Sequence, residues 1–329
     1  MADVRTGDRA QLLLVAGLVI AVMFVALALT LNTVIYTENL ASRSSGTAGG
    51  DASIRFLDTT EEAIEGILER ANRNHNESHA AVRGNVTAGL ATLRNTTGRI
   101  HAASGIVTNV SGRTLRNGTR IVQTNGARDF TAADGASDWR LADDVAGTRQ
   151  FRINATNASL TNATQATLEV EEVFYVHVNA PSGTWEVYVY KDLVGANTIN
   201  VTVKNATSGE KRDPCSTTGD HAFVNVTAGT VGGEPCSGLS FVSDLEPSYA
   251  ITYNDTETLL GDATINGTYH LIVDDASVAR SPGPALNDAP GDSPWADPAV
   301  YAVYYDAIYE TARLQFETNV RVAPGEADD

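Results

Sequence analysis

The sequence predicts an α+β protein: an N-terminal transmembrane helix, a helical hairpin or stalk, and then an antiparallel β-sheet or β-sandwich domain. Three observations predict it. A twenty-residue apolar run lies near the start, apolar residues recur at helical spacing over 54–124, and strict alternation sets in from 166 onward. The 329 residues allow one large or two modest domains, with a real core.

The apolar run is Leu12 to Leu31, with no charge and Thr30 its one polar residue. As an α-helix it would be about 30 Å long, the thickness of the hydrocarbon core of a bilayer. A buried globular helix normally keeps a polar stripe, and this run is apolar all round. Arg5 and Arg9 precede it, as in a secretory signal, but the run is longer than a signal's apolar region and no small-residue cleavage site follows promptly. A membrane helix is the expectation. Charge does not orient it, because Arg5 and Arg9 are diluted by Asp3 and Asp8 and faced by Arg43 and Arg55.

The downstream composition does orient it. Acceptor tripeptides for N-glycosylation begin at Asn76, Asn85, Asn95, Asn109, Asn117, Asn154, Asn157, Asn162, Asn200, Asn205, Asn225, Asn254 and Asn266. With 22 Asn and 55 Ser plus Thr, chance supplies about four. Thr- and Asn-rich turns and strands explain some of the excess, and glycosylation explains more. Residues 32–329 are thus expected outside the cell and residues 1–11 in the cytosol. Cys215 and Cys236, each preceded by Pro and with 20 residues between them, would pair in an oxidising exterior, against the alternative of two separate buried thiols.

Beyond the membrane helix (11–31), residues 32–53 read as a small, polar stem, Gly-rich over 41–53. Leu57, Ile64, Ile67, Leu68 and Ala71 then fall at helical spacing, with Asp58 to Thr60 and the following Glu61 and Glu62 as an N-terminal helix signal. A second helix is expected from about Ser78 to Val110, where Val82, Val86, Leu90, Leu93, Ile100, Val107 and Val110 share one face. Gly84, Gly89, Gly98 and Gly105 weaken that helix and make a bend or break plausible. Residues 125–165 read as polar connections with one short strand near Phe151 to Ile153.

From 166 to 323 strands are expected at Val170 to Val178, Trp185 to Tyr190, Ile199 to Val203, Ala222 to Val226, Tyr269 to Val273 and Ala312 to Val322, the last paired with Val300 to Tyr309. Asn200 and Asn225 fall on the more polar faces of their strands. The five prolines of Ser281 to Pro298 mark an extended surface loop, and 324–329 an acidic tail.

Chemistry is sparse. No nucleophile elbow, zinc-protease helix, P-loop or dinucleotide fingerprint occurs. The formal net charge is -17, from 40 acidic against 23 basic residues, 20 of them Arg, and its field would repel nucleic acid. Two cysteines are too few for a zinc ribbon. His75 and His79, four apart, lack a third metal ligand, and a solvated helix end is the simpler reading. Asp288, Asp292 and Asp297 offer oxygen ligands to calcium, but their spacing is not that of an EF-hand and an acidic hydrated loop accounts for them. Asp143-Asp144 and Asp274-Asp275, adjacent in strands, would point to opposite sides. No cofactor beyond N-linked glycans is expected.

Arg9-Ala10-Gln11-Leu12, directly before the apolar run, resembles an archaeal prepilin cleavage context. The wider layout, with Asn-Thr-Val-Ile-Tyr-Thr-Glu-Asn at 32–39, a sequon-rich body and Val322-Ala323-Pro324 near the end, is similar to type IV pilin-like, membrane-anchored surface proteins of halophilic archaea. The resemblance implies a prepilin peptidase cutting between Ala10 and Gln11, a helix that enters a filament core, and other pilin-like subunits as partners. Type IV pilins usually carry Glu at the fifth mature position, where this chain has Val15, which implies a minor or accessory subunit or an uncleaved anchor. The leading expectation is therefore a non-enzymatic, glycosylated, pilin-like surface protein. A permanently anchored ectodomain binding a ligand or another protein comes second, and an anchored secreted hydrolase third.

Overall fold

The computed structural model describes residues 50–74, 77–193, 197–256, 265–274, 285–287, 291 and 293–327. Arg9, Ala10, Gln11 and the apolar run Leu12 to Leu31 lie outside the described residues, as do His75, Asn76, Asp288 and Asp292. Among the described residues no helix is long and apolar enough to cross a membrane.

Two helices come first: α1 over 50–73 and α2 over His79–Ala102. The stem expected to reach 53 therefore ends earlier, and Asp58 to Thr60 sit inside α1 rather than at its start. Thr59 and Thr60 satisfy their hydroxyls on the carbonyls of Arg55 and Phe56, one turn back. The face that α1 buries is the row Phe56, Thr60, Ile64, Leu68 and Asn72, each four residues on from the last. Leu57 and Ile67 flank it, half-buried. Ile64, Leu68 and Ala71 of the expected stripe are buried, and the polar Thr60 and Asn72 complete the row.

Ser78 caps α2, its hydroxyl accepting from the Ala81 N–H at 3.3 Å, and the helix buries Val82, Val86 and Leu90. It stops at Ala102 instead of running to Val110. Gly105 takes a left-handed φ of 70°, and the Ile106 N–H returns to the His101 carbonyl, so the chain reverses there. Ile100 and Val107 are accordingly exposed, while Val110 is buried from a strand. At Gly89 the two helices come so close that a Cβ would stand 2.6 Å from Ile67.

The helical region expected over 54–124 thus ends in the long strand β1 (Val107–Gln123). The region 125–165 is not merely connecting, since it contains β2 (Trp139–Val145), β3 (Thr148–Thr156) and the short β4 (Asn162–Ala163). The remaining strands are β5 (Tyr175–Ala180), β6 (Gly183–Asp192), β7 (Thr198–Asn205), β8 (Cys215–Thr218), β9 (His221–Asn225), β10 (Thr230–Val231), β11 (Glu234–Pro235), β12 (Tyr249–Asn254), β13 (Gly267–Val273), β14 (Trp295–Glu310) and β15 (Gln315–Val322). Val170 to Phe174, expected as strand, precede β5 as turns up to Glu172 and irregular chain at Val173 and Phe174. Trp295 to Pro298, expected as loop, open β14.

These strands form two sheets, which is the sandwich alternative of the expected fold. Sheet one has the order β11-β10-β9-β3-β13-β1-β14-β15, and sheet two β2-β12-β5-β6-β7-β8 with β4 beside β6. Every ladder is antiparallel except β4 with β6. The expected pairing of the last strand with its aromatic neighbour is present, from Val303 opposite Val322 to Glu310 opposite Gln315.

Between the sheets lie Ile121, Ile153, Val224 and Leu271 from sheet one and Leu141, Val176, Val187, Val201 and Ile251 from sheet two. Each such fully buried side chain contributes about 1.5–3 kcal/mol. Phe130, Phe174, Tyr253 and Tyr269 form an aromatic knot at one end, with centroids 5.2–5.6 Å apart. A second core lies on the other side of sheet one. There α1 and α2 cover Val110 of β1, Val300, Val303, Tyr305 and Ala307 of β14, and Val322 of β15.

Cys215 and Cys236 form the expected disulfide, with their Cα atoms 5.7 Å apart. Cys215 opens β8, the outermost strand of sheet two, and Cys236 follows β11, the outermost strand of sheet one. The bridge thus joins the sheets at one edge of the sandwich. The start of the acidic tail is also held, at Gly325 and Glu326. The Gln150 N–H donates to the Gly325 carbonyl at 2.7 Å, and Glu326 accepts from Arg321 and Tyr301.

Candidate functional site

The helices cover only the β1, β14 and β15 part of sheet one. Among the described residues its outer face over β13, β3 and β9 is left open, with Phe223 43% exposed upon it. Where the end of α1 overhangs this open face lies a cleft of about 220 Å³, lined by Glu69, Asn72 and Arg73 of α1, Arg120 of β1, Gln150 and Arg152 of β3, and His270 and Ile272 of β13.

Strand register brings these residues together. Arg120 stands opposite Asp297 on one side and Ile272 on the other, and Ile272 opposite Arg149. In the next row Val122 faces His270, and His270 faces Arg152. Between the two rows β3 has a register shift, where Gln150 takes a φ of 55°. That is the left-handed region, uncommon for a residue with a Cβ.

Arg120 is largely structural. Its Nη1 donates to the Asn72 carbonyl at 3.1 Å and to Asp297 Oδ2 at 3.0 Å, the first at the C-terminal end of α1, where a cation is favoured. Burial pulls its pKa down, with Asp297 opposing and Arg73 adding to the fall. Its Nε is buried without a hydrogen-bond partner among the described residues. Arg149, wholly buried behind the cleft, donates to the carbonyls of Pro324 and Val300, both at 3.0 Å. Its pKa falls to about 10 because burial outweighs Tyr301 and Glu326.

His270 Nδ1 lies 3.3 Å from the Gln150 carbonyl. Burial, then the charge of Arg120, lower the His270 pKa to about 4, with Arg152 and Arg149 adding to the effect and the Gln150 bond opposing it. The ring is neutral at pH 7. Arg152 is exposed and its guanidinium has no partner among the described residues. Arg73 reaches Glu69 at 3.7 Å, a loose surface pair.

Most residues singled out from the sequence lie elsewhere. His79 Nε2 is 2.9 Å from the Gly118 carbonyl, a bond between α2 and β1 rather than a metal contact. Asp297, offered above as a calcium ligand, is buried and accepts from Arg120 and from the Trp295 indole N–H. Asp143 pairs with Arg140, while Asp144 accepts from Ser248. Asp274 pairs with Arg116 and accepts from the Ala146 N–H. Among the described residues no group of three or more His, Cys, Asp or Glu is placed to hold a metal.

The sequons divide by exposure. Asn85, Asn95 and Asn162 are exposed, and Asn109, Asn117, Asn154, Asn205, Asn225, Asn254 and Asn266 are half-buried. Asn157 and Asn200 are buried. Asn157 Nδ2 donates to the Gly219 carbonyl at 2.6 Å, and Asn200 Oδ1 accepts from Ser216 at 2.7 Å. Asn200 shares its strand face with Thr202 and Lys204, opposite Ile199, Val201 and Val203, as expected, but that face is covered, so a glycan on either residue would displace packed protein. Strand β7 lies in the interior of sheet two and is covered on both faces.

The cleft itself was missed, because its residues come from four segments and carry no shared motif. The alternation of Tyr249, Ile251 and Tyr253, which marks β12, was the one overlooked strand signal of good quality. No curated protein and no solved structure matches the chain. Residues 6–130, from the N-terminal tail through both helices and β1, are similar to a family of unknown function (DUF7261).

Proposed function

We propose that the protein is a non-enzymatic, glycosylated surface protein anchored by residues 12–31, a minor or accessory pilin-like subunit of an archaeal filament or of its assembly. The observation that carries the exterior placement is the disulfide, which joins the two sheets at one edge. Such bonds persist in oxidising surroundings and are rare in reducing cytosol. The apolar run supports the anchor, and the prepilin-like Arg9-Ala10-Gln11 supports processing and entry into a helix bundle. Exposed sequons on α2 and on β4 would keep glycans in solvent.

Mass spectrometry of the mature N terminus tests the pilin reading. A chain beginning at Gln11 supports it, and one beginning at Met1 or Ala2 leaves a permanent anchor. Recovery of the chain from cytosol, unglycosylated and with both thiols free, would overturn the exterior placement altogether. The second reading, an anchored ectodomain that binds a ligand, is favoured by the arginine-lined cleft.

A further inference from the structure

We propose that the cleft under the end of α1 binds a compact oxyanion, a carboxylate, sulfate or phosphate group, held by Arg73, Arg120 and Arg152. The reasoning begins with charge. Arg73, Arg120 and Arg152 line the cleft against one lining carboxylate, Glu69, with Asp297 beside Arg120, so the locality is net positive in a chain whose formal charge is -17. A positive pocket in an acidic surface attracts anions that the remainder of the molecule repels.

The donors are also unspent. Asp297 is shared between Arg120 and Trp295, which leaves Arg120 Nε buried and unpartnered. A guanidinium carries five donors in a planar fork that matches two oxygens of one anion, and Arg152 uses none of its own on the described residues. A purely structural account explains Arg120, which ties α1 to β14. It does not explain Arg152, whose cross-strand neighbours are His270 and Asn225.

Size and protonation agree. A volume of about 220 Å³ is too small for a drug-sized ligand and suits one oxyanion with a few waters. The groups facing His270 are Glu69 and Arg73 from α1, Arg120 from β1, and Arg149 and Arg152 from β3. An anion among them would offset the cations, whose charge adds to burial in keeping the ring neutral.

The test is calorimetric titration of the full-length protein in detergent with sodium sulfate, phosphate and acetate at constant ionic strength in chloride. One saturable site is expected for at least one of the three. Arg152→Gln and Arg73→Gln should each weaken it by about tenfold, the value of one charged hydrogen bond. Arg152→Lys should restore part of the loss, and Arg113→Gln, which removes an exposed arginine paired with Asp306, should change nothing. In a parallel NMR titration the same anion should raise the His270 pKa. The proposal is overturned if no anion saturates, if Arg113→Gln weakens binding as much as Arg152→Gln, or if Arg152→Gln leaves it unchanged. None of these outcomes depends on where the chain resides, so the inference stands or falls apart from the pilin reading.

Discussion

Asn72 hydrogen-bonds both backbone groups of Val300: its Oδ1 accepts from the Val300 N–H at 2.9 Å and its Nδ2 donates to the Val300 carbonyl at 2.8 Å. Val300 can accept this clamp because β15 pairs with β14 only from Val303 onward. The side chain of a helical residue thus takes the place of a missing strand, and ties α1 to sheet one at the rim of the cleft. Asn72→Ala leaves the buried Val300 N–H unpaired, while the Val300 carbonyl keeps Arg149, and should cost about 1–3 kcal/mol. Urea unfolding measures the loss, and faster amide exchange at the end of α1 would locate it.

His270 makes stability depend on pH. Its imidazole titrates near 6.5 when unfolded and near 4 when folded, so between those values the unfolded chain binds more protons. The folded state should lose up to about 3 kcal/mol as pH falls from 6.5 to 4. His270→Gln should flatten that part of the profile relative to the parent chain, and an unchanged difference curve would contradict the assignment.

Removing the disulfide frees the edge where the sheets meet. Replacing Cys215 and Cys236 together by Ser should lower stability by about 3 kcal/mol on the loop-entropy account. Thermal unfolding with and without reductant provides the comparison, and reductant should have no effect on the double variant.

Gly118 lies in β1, where a Cβ would run into the Val273 carbonyl and stand 3.0 Å from Tyr301 Cβ. Gly118→Ala should therefore destabilise the chain by about 1–3 kcal/mol through overpacking. Gly98→Ala, at a helical site open enough to take a methyl group, should be neutral or slightly stabilising in the same unfolding assay.

Glycopeptide mass spectrometry of protein from its native host should find glycans at Asn85, Asn95 and Asn162. It should find none at Asn157 or Asn200, whose side chains are buried and hydrogen-bonded. Full occupancy at Asn200 would mean that β7 is packed differently.

Much of the sandwich was legible in the sequence because a strand with two unlike faces writes its period directly into the residues. The β6, β7, β9, β13 and β15 segments all show it. The failures have specific causes. Val107 and Val110 continue the apparent helical stripe of α2, and only the left-handed turn at Gly105 separates helix from strand. β2 and β3 are rich in charged and polar residues because parts of them face ion pairs or the cleft, so their composition resembles loop. The buried face of α1 includes Asn72, whose polarity is satisfied by Val300, a partner 228 residues away that no local pattern reveals.

What the sequence determined by itself was local or compositional: the apolar run, the acidic surface, the alternating strands, and the pairing of two cysteines that have no other candidate. The tertiary structure alone decided which arginines meet. Arg73, Arg120 and Arg152 are far apart along the chain and converge through strand register and the docking of a helix. Charges placed by such long-range contacts leave no periodic trace, because their spacing in the chain is unrelated to their spacing in the fold.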